Sequence, residues 1–95
     1  MARRRHLVAY DIRDEKRLRL VAACMEGYGD RVQYSVFIAD LSEQEFFAMR
    51  HELESIMTLS EDSVMIIDLG APGDTSRFTF LGYHEQLPIA GAVIL

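Results

Sequence analysis

Leu7, Val8, Ala9, Tyr10 and Ile12 form an almost unbroken apolar run near the amino end, and predict a β-strand buried on both faces or nearly so. Asp11 interrupts the run. With a strand period of two, Asp11 shares a face with Leu7 and Ala9, while Val8, Tyr10 and Ile12 share the other. Beyond it the period changes. Leu18, Val21, Ala22, Met25 and Tyr28 recur at three- and four-residue spacing and predict a helix, with Asp14 as its N-cap and Glu15 in its electropositive first turn. Gly27 and Gly29 are expected to stop it, with Gly29 as a left-handed C-cap.

The stretch 31–39, rich in β-branched and aromatic residues, reads as one strand or as two short strands bent around Gln33 to Ser35. Ser42 and Glu45 then have capping-box spacing, and Leu41 with Phe46 the spacing of a hydrophobic staple. They open a second helix whose buried stripe is Phe46, Met49, Leu53, Ile56 and Met57, with Glu43, Glu45, Glu52 and Glu54 largely solvated. A third apolar strand, Ser63 to Leu69, ends in the turn cluster Gly70-Ala71-Pro72-Gly73-Asp74, and Arg77 to Leu81 predicts a short strand after it. The last residues, Ile89 to Leu95, are apolar where a terminus is usually polar. That end, and a first strand apolar on both faces, predict that a second copy covers one sheet face or accepts the C-terminal strand at its edge.

The 95 residues suit one domain, 1–95, with no linker or repeat, of a size for which self-association is a natural aid to stability. No apolar run approaches the ~20 residues that span a membrane, and Met1-Ala2-Arg3-Arg4-Arg5 does not lead into a signal-peptide core, so a cytoplasmic protein without membrane contact is expected. Cys24 has no partner in the chain and is expected as a small core residue, which excludes a disulfide or a Cys-based zinc site within one subunit. His6, His51 and His84 lack ligand spacing and are expected to be surface or satisfied histidines.

The net charge of −5 is unevenly distributed. Residues 1–19 hold seven bases against three acids, a local +4, whereas residues 40–95 hold ten acids against two bases, a local −8. A basic end can track phosphates while the acidic remainder turns a polyanion away from itself; Arg3 to Arg5 read equally well as a solvated tail. Asp11 carries the candidate chemistry. It stands where strands of α/β sheets commonly present ligand-binding groups, and Asp14 already holds the better capping position, so Asp11 has no structural role of its own and is a candidate for metal or proton chemistry. Lys16, Arg17 and Arg19 follow it on the first turns of the helix, where a phosphate could be bound.

Tyr10-Asp11-Ile12, Lys16-Arg17-Leu18-Arg19, Tyr28-Gly29, Arg31-Val32-Gln33-Tyr34-Ser35-Val36-Phe37 and Asp62-Ser63-Val64 together resemble the CRISPR-associated protein Cas2 family over about the first seventy residues. The resemblance implies an α+β, ferredoxin-like βαββαβ fold in which 31–39 supplies two strands. It further implies a homodimer joined through its sheets, and an additional C-terminal strand within 83–95 that adds to the partner. It implies a CRISPR adaptation protein that helps capture and integrate new spacers, bridging dimers of the Cas1 integrase, with metal-dependent endonuclease activity on RNA or DNA. Asp11 matches the family's metal-binding aspartate. One carboxylate per chain is too few for Mg²⁺, whereas a two-fold axis pairing Asp11 with its mate would supply two oxygen ligands, with water and phosphate completing the shell. Arg17, Arg19 and Arg31 match positions expected to contact nucleic acid, and Tyr10, Ser35 and Phe37 positions that support activity or dimer geometry, Phe37 by dimer packing. Met65 departs from the basic residue common in relatives, and residues 70–95 match no strong motif.

Two other classes compete with this reading: a non-catalytic, nucleic-acid-binding dimeric scaffold or module, and a toxin-like ribonuclease of the same fold. The Gly-aromatic run of an RNA-recognition module is missing, and Gly70-Ala71-Pro72-Gly73 lacks the lysine of a phosphate-binding loop.

Overall fold

A computed structural model describes residues 2–73, 78–82 and the backbone of 93–94. The chain runs β1 (Arg4–Asp11), α1 (Glu15–Glu26), β2 (Asp30–Gln33), β3 (Val36–Leu41), α2 (Glu43–Ile56), β4 (Ser63–Gly70), β5 (Thr79–Phe80) and β6 (Val93–Ile94). Its first six elements form an antiparallel sheet of order β2-β3-β1-β4 with two helices, the α+β arrangement of a ferredoxin-like βαββαβ fold. The stretch 31–39 resolves into two strands joined at Tyr34-Ser35, with β2 beginning at Asp30 and β3 running on to Leu41.

The helices begin where side chains satisfy their orphan amides. Asp14 accepts from the Arg17 amide at 2.9 Å, and Ser42 and Glu45 form a complete capping box. Gly27 closes α1 with ordinary right-handed geometry, so Gly29 is not the left-handed cap. Gly29 is needed for a steric reason instead, since a Cβ there would stand 2.3 Å from the Ile38 carbonyl oxygen. Only glycine lets α1's exit pass this close to β3.

Val8, Tyr10 and Ile12 with Phe37, Ala39 and Leu41 form the sheet side of the core, and Val21, Met25, Met49 and Leu53 the helix side. In a single chain β1 is not buried on both faces. His6, Val8 and Tyr10 are buried, while Leu7 and Ala9 are half-buried, because both helices cover the same side of the sheet. On the other side Met65 and Ile67 of β4, which pair with Ala9 and Leu7, remain 53% and 40% exposed.

The basic amino end is no loose tail. Arg3 pairs with Glu45, Arg4 Nε donates to Asp68 at 2.7 Å, and Arg5 forms a two-point pair with Asp40 at 2.8 and 3.0 Å. His6 is buried, not superficial; its ring lies 5.0 Å from that of Phe46, and Nδ1 has no partner among the described residues. Cys24 is half-buried against the core, and its thiol is pushed up to about 12, by burial first and then by the Glu52 carboxylate to which it donates. No helix among the described residues is long and apolar enough to cross a membrane. Val93–Ile94 pairs in parallel with Thr79–Phe80 of its own chain; His84 and the rest of 83–95 lie outside the described residues.

Candidate active site

Asp11 closes β1, paired in register with Ser63 at the start of β4. Its side chain is exposed and has neither a hydrogen bond nor an ion pair among the described residues. A carboxylate left unpartnered at a strand end, when so many neighbouring acids are paired, is available for an external ligand. No group of three or more His, Cys, Asp or Glu side chains is gathered among the described residues. Among the described residues, one chain therefore offers one carboxylate at this place. That fits a divalent cation held by a carboxylate from each of two chains together with water and phosphate, and does not fit a complete cage within one chain.

The hairpin between β2 and β3 adjoins Asp11. The Tyr10 amide donates to the Ser35 carbonyl at 3.1 Å, which brings the Tyr34-Ser35 turn beside the end of β1. The Tyr10 ring is buried and lies 6.2 Å from the Phe37 ring, and burial raises its phenol, with Arg31 opposing the shift. Phe37 is wholly buried under the helices, so its contribution to the site comes through its own core; direct packing against a second copy is ruled out by the lack of exposed surface. The Arg31 guanidinium sits 5.1 Å over the Phe37 ring, donates to the Tyr34 carbonyl at 3.0 Å and reaches Glu26 at 3.4 Å. Tyr10, Arg31, Ser35 and Phe37 thus make one continuous brace behind Asp11.

The three expected phosphate-contacting arginines differ sharply. Arg17 Nε donates to Asp62 at 2.8 Å, and Arg17 Nη2 donates to Asp62 at 3.2 Å and to Glu61 at 3.3 Å. Its guanidinium ties α1 to the start of β4. Arg19 is exposed with no partner among the described residues, as are the side chains of Arg13 and Lys16. Asp62 is the residue that pattern alone passes over. The carboxylate has no exposed surface, accepts from the Arg13 and Thr58 amides at 3.0 and 2.8 Å as well as from Arg17, and is held well below the usual carboxylate range, by Arg17 first. In sequence it looks like one more acid of a turn, and only its place between α1 and β4 makes it an anchor.

The order and spacing of these residues can be set against known proteins. Residues 4–77 match the family described as CRISPR associated protein Cas2. The chain belongs to this family. Among Cas2 relatives, a protein of Synechocystis named CRISPR-associated endoribonuclease Cas2 3 is 42% identical over 64 residues, covering 67% of this chain and 70% of the relative. The crystal structure of Streptococcus pyogenes Cas2 at pH 6.5 matches with a TM-score of 0.65 and 39% identity over 70% of this chain and 86% of the other. That of a hypothetical protein from Thermus thermophilus matches with a TM-score of 0.76 and 29% identity, over 90% of this chain and 98% of the other.

Proposed function

We propose that the protein is a CRISPR adaptation component that works as a homodimer through its open sheet face and cleaves phosphodiester bonds in RNA or DNA with the help of Mg²⁺. The observation that carries this reading is the exposed, unpartnered Asp11 carboxylate, on the strand whose open face borders Met65 and Ile67. Relatives named as endoribonucleases support the reaction class. Asp11 of each protomer would hold the cation, which when bound supplies charge for a phosphate and an activated water. The chain's own work is positional. The brace of Tyr10, Arg31, Ser35 and Phe37 fixes the end of β1, and Arg13, Lys16 and Arg19 offer uncommitted cations to the phosphates. In the cell such a dimer would bridge Cas1 integrase dimers during spacer capture.

That Asp11 stands without a second clustered acid among the described residues favours a second reading, a scaffold that binds nucleic acid without cutting it. One experiment separates the two. Light scattering first establishes the dimer, and the same sample is then assayed for Mg²⁺-dependent cleavage of short RNA and duplex DNA beside Asp11→Ala. Cleavage that disappears in a still dimeric Asp11→Ala protein supports the nuclease. A dimer that cuts nothing, or a variant that cuts as well as the wild type, refutes it in favour of the scaffold.

A further inference from the structure

His6 stands at the other end of β1 from Asp11, roughly 17 Å along the strand, and on the opposite face, toward the helices. It lines a cavity of about 490 Å³ between α2 and the edge strand β4, a size that suits a small ligand. Phe46, Phe47 and Ile66 supply the apolar wall, with the Phe46 ring 5.0 Å from that of His6 and 5.7 Å from that of Phe47. His6 is only 6% exposed, and its Nδ1 is buried without a partner among the described residues. Buried N–H groups are orphaned more rarely than acceptors, so a neutral His6 ring carries its proton on Nε2 and has that N–H to give to the cavity. The mouth adds the opposite function. Asp68, which pairs in register with His6, spends one oxygen on Arg4 and the other on the Gly70 amide, each at 2.7 Å, and both oxygens keep a lone pair for a further donor. Charge at the mouth is net negative, Asp68 and Glu43 against Arg4, and Glu45 of the capping box already answers the positive end of α2. The cavity therefore offers a donor, an acceptor and aromatic surface, and is unfavourable to an anion.

We infer that this cavity binds a free purine base or nucleoside, which packs on the aromatic wall, takes the His6 Nε2 proton at a ring nitrogen and gives an N–H to Asp68. A purine sets an acceptor and a donor on one planar ring system, whereas a purely apolar filler would leave the His6 N–H and the Asp68 lone pairs unanswered. A nucleotide would bring its phosphate against Glu43 and Asp68 and is disfavoured. The inference is independent of any cleavage at Asp11. Because the cavity lies on the helix side of the sheet, a dimer joined through the open sheet face leaves it accessible in both protomers.

The test is a titration of the full chain, with nitrogen-15 in its histidine rings, by adenine, by AMP and by indole, which has no acceptor for His6. Divalent cation is left out. His6→Phe identifies the His6 resonances by their absence and keeps a ring in the core, while Phe47→Ala alters a side chain already 54% exposed; thermal melts confirm that both fold. Adenine is expected to shift the His6 Nε2 resonance and to bind about tenfold more tightly than AMP or indole. His6→Phe and Phe47→Ala should each weaken adenine binding about tenfold. No shift with millimolar adenine, unchanged affinity in either variant, or indole bound as tightly as adenine would overturn the inference. So would His6 resonances that follow protein concentration and ignore adenine, which would assign the cavity to a second copy of the chain.

Discussion

Arg17 and Asp62 form a two-point ion pair, 2.8 Å at Nε and 3.2 Å at Nη2, around a carboxylate that has no exposed surface. The same carboxylate also receives the backbone amides of Arg13 and Thr58, so one side chain closes the α1 entry, the end of α2 and the start of β4 together. Removing the acid leaves a guanidinium and two amides without their acceptor.

Asp62→Asn is expected to lower the melting temperature by roughly 10 °C. Its pH dependence follows from the depressed carboxyl. A group whose folded value lies below its unfolded value adds stability that is complete above the unfolded value, about 4, and is lost as pH falls toward the folded one. Wild-type stability should therefore decline below about pH 4, and the decline should be shallower in Asp62→Asn. Urea melts from acid to neutral pH measure both, and parallel acid limbs would contradict the assignment.

Arg17→Ala and Arg19→Ala should separate structure from binding. Arg17 is committed to Asp62 and Glu61, so its loss should show mainly as a lower melting temperature, with affinity for nucleic acid reduced less than twofold at a temperature where the variant is folded. Arg19 has no such commitment, and its loss should leave the melt unchanged while weakening binding about two- to fivefold at low salt. Filter binding with parallel calorimetry checks the pair.

Gly29→Ala should destabilise the protein by about 1–3 kcal/mol or more, because the new methyl would meet the backbone oxygen of Ile38, which cannot swing aside as a side chain could. Gly73→Ala, where nothing lies within 4 Å of the new methyl, is the control and should be nearly neutral in the same denaturant melt.

Met65→Glu tests the open sheet face. Met65 is 53% exposed in the single chain, so a carboxylate there should leave the melt of the monomer almost unchanged. Within a sheet-to-sheet dimer it would place an unpaired charge in an apolar contact and weaken association by roughly a hundredfold. Sedimentation equilibrium gives the constant directly, and an undisturbed dimer would move the interface elsewhere.

The two helices, their N-caps and the strands β1 and β4 were legible in the sequence because each depends on neighbours a few residues away: Asp14 with Arg17, Ser42 with Glu45, and apolar side chains at periods of 3.6 or 2. Asp11 was legible for a similar reason, as a charge set into an apolar run whose capping role Asp14 already filled. The linked motifs from Tyr10 to Val64 were sufficient to suggest the family. What local pattern could not decide was which of many like residues would meet across the fold. Arg17 and Arg19 differ by two positions in one helix, yet tertiary contact commits the first to Asp62 and leaves the second to solvent. His6 is buried, Phe37 is enclosed in its own core, and Gly29 is required by a carbonyl nine residues away on β3. Which face of β1 is covered, and that the chain turns at Tyr34 and Ser35 so that the Ser35 carbonyl meets the Tyr10 amide, were likewise settled by tertiary structure. Periodicity and capping are properties of the chain's own backbone, whereas ion-pair choice, burial and close approach depend on distances between elements that only packing fixes.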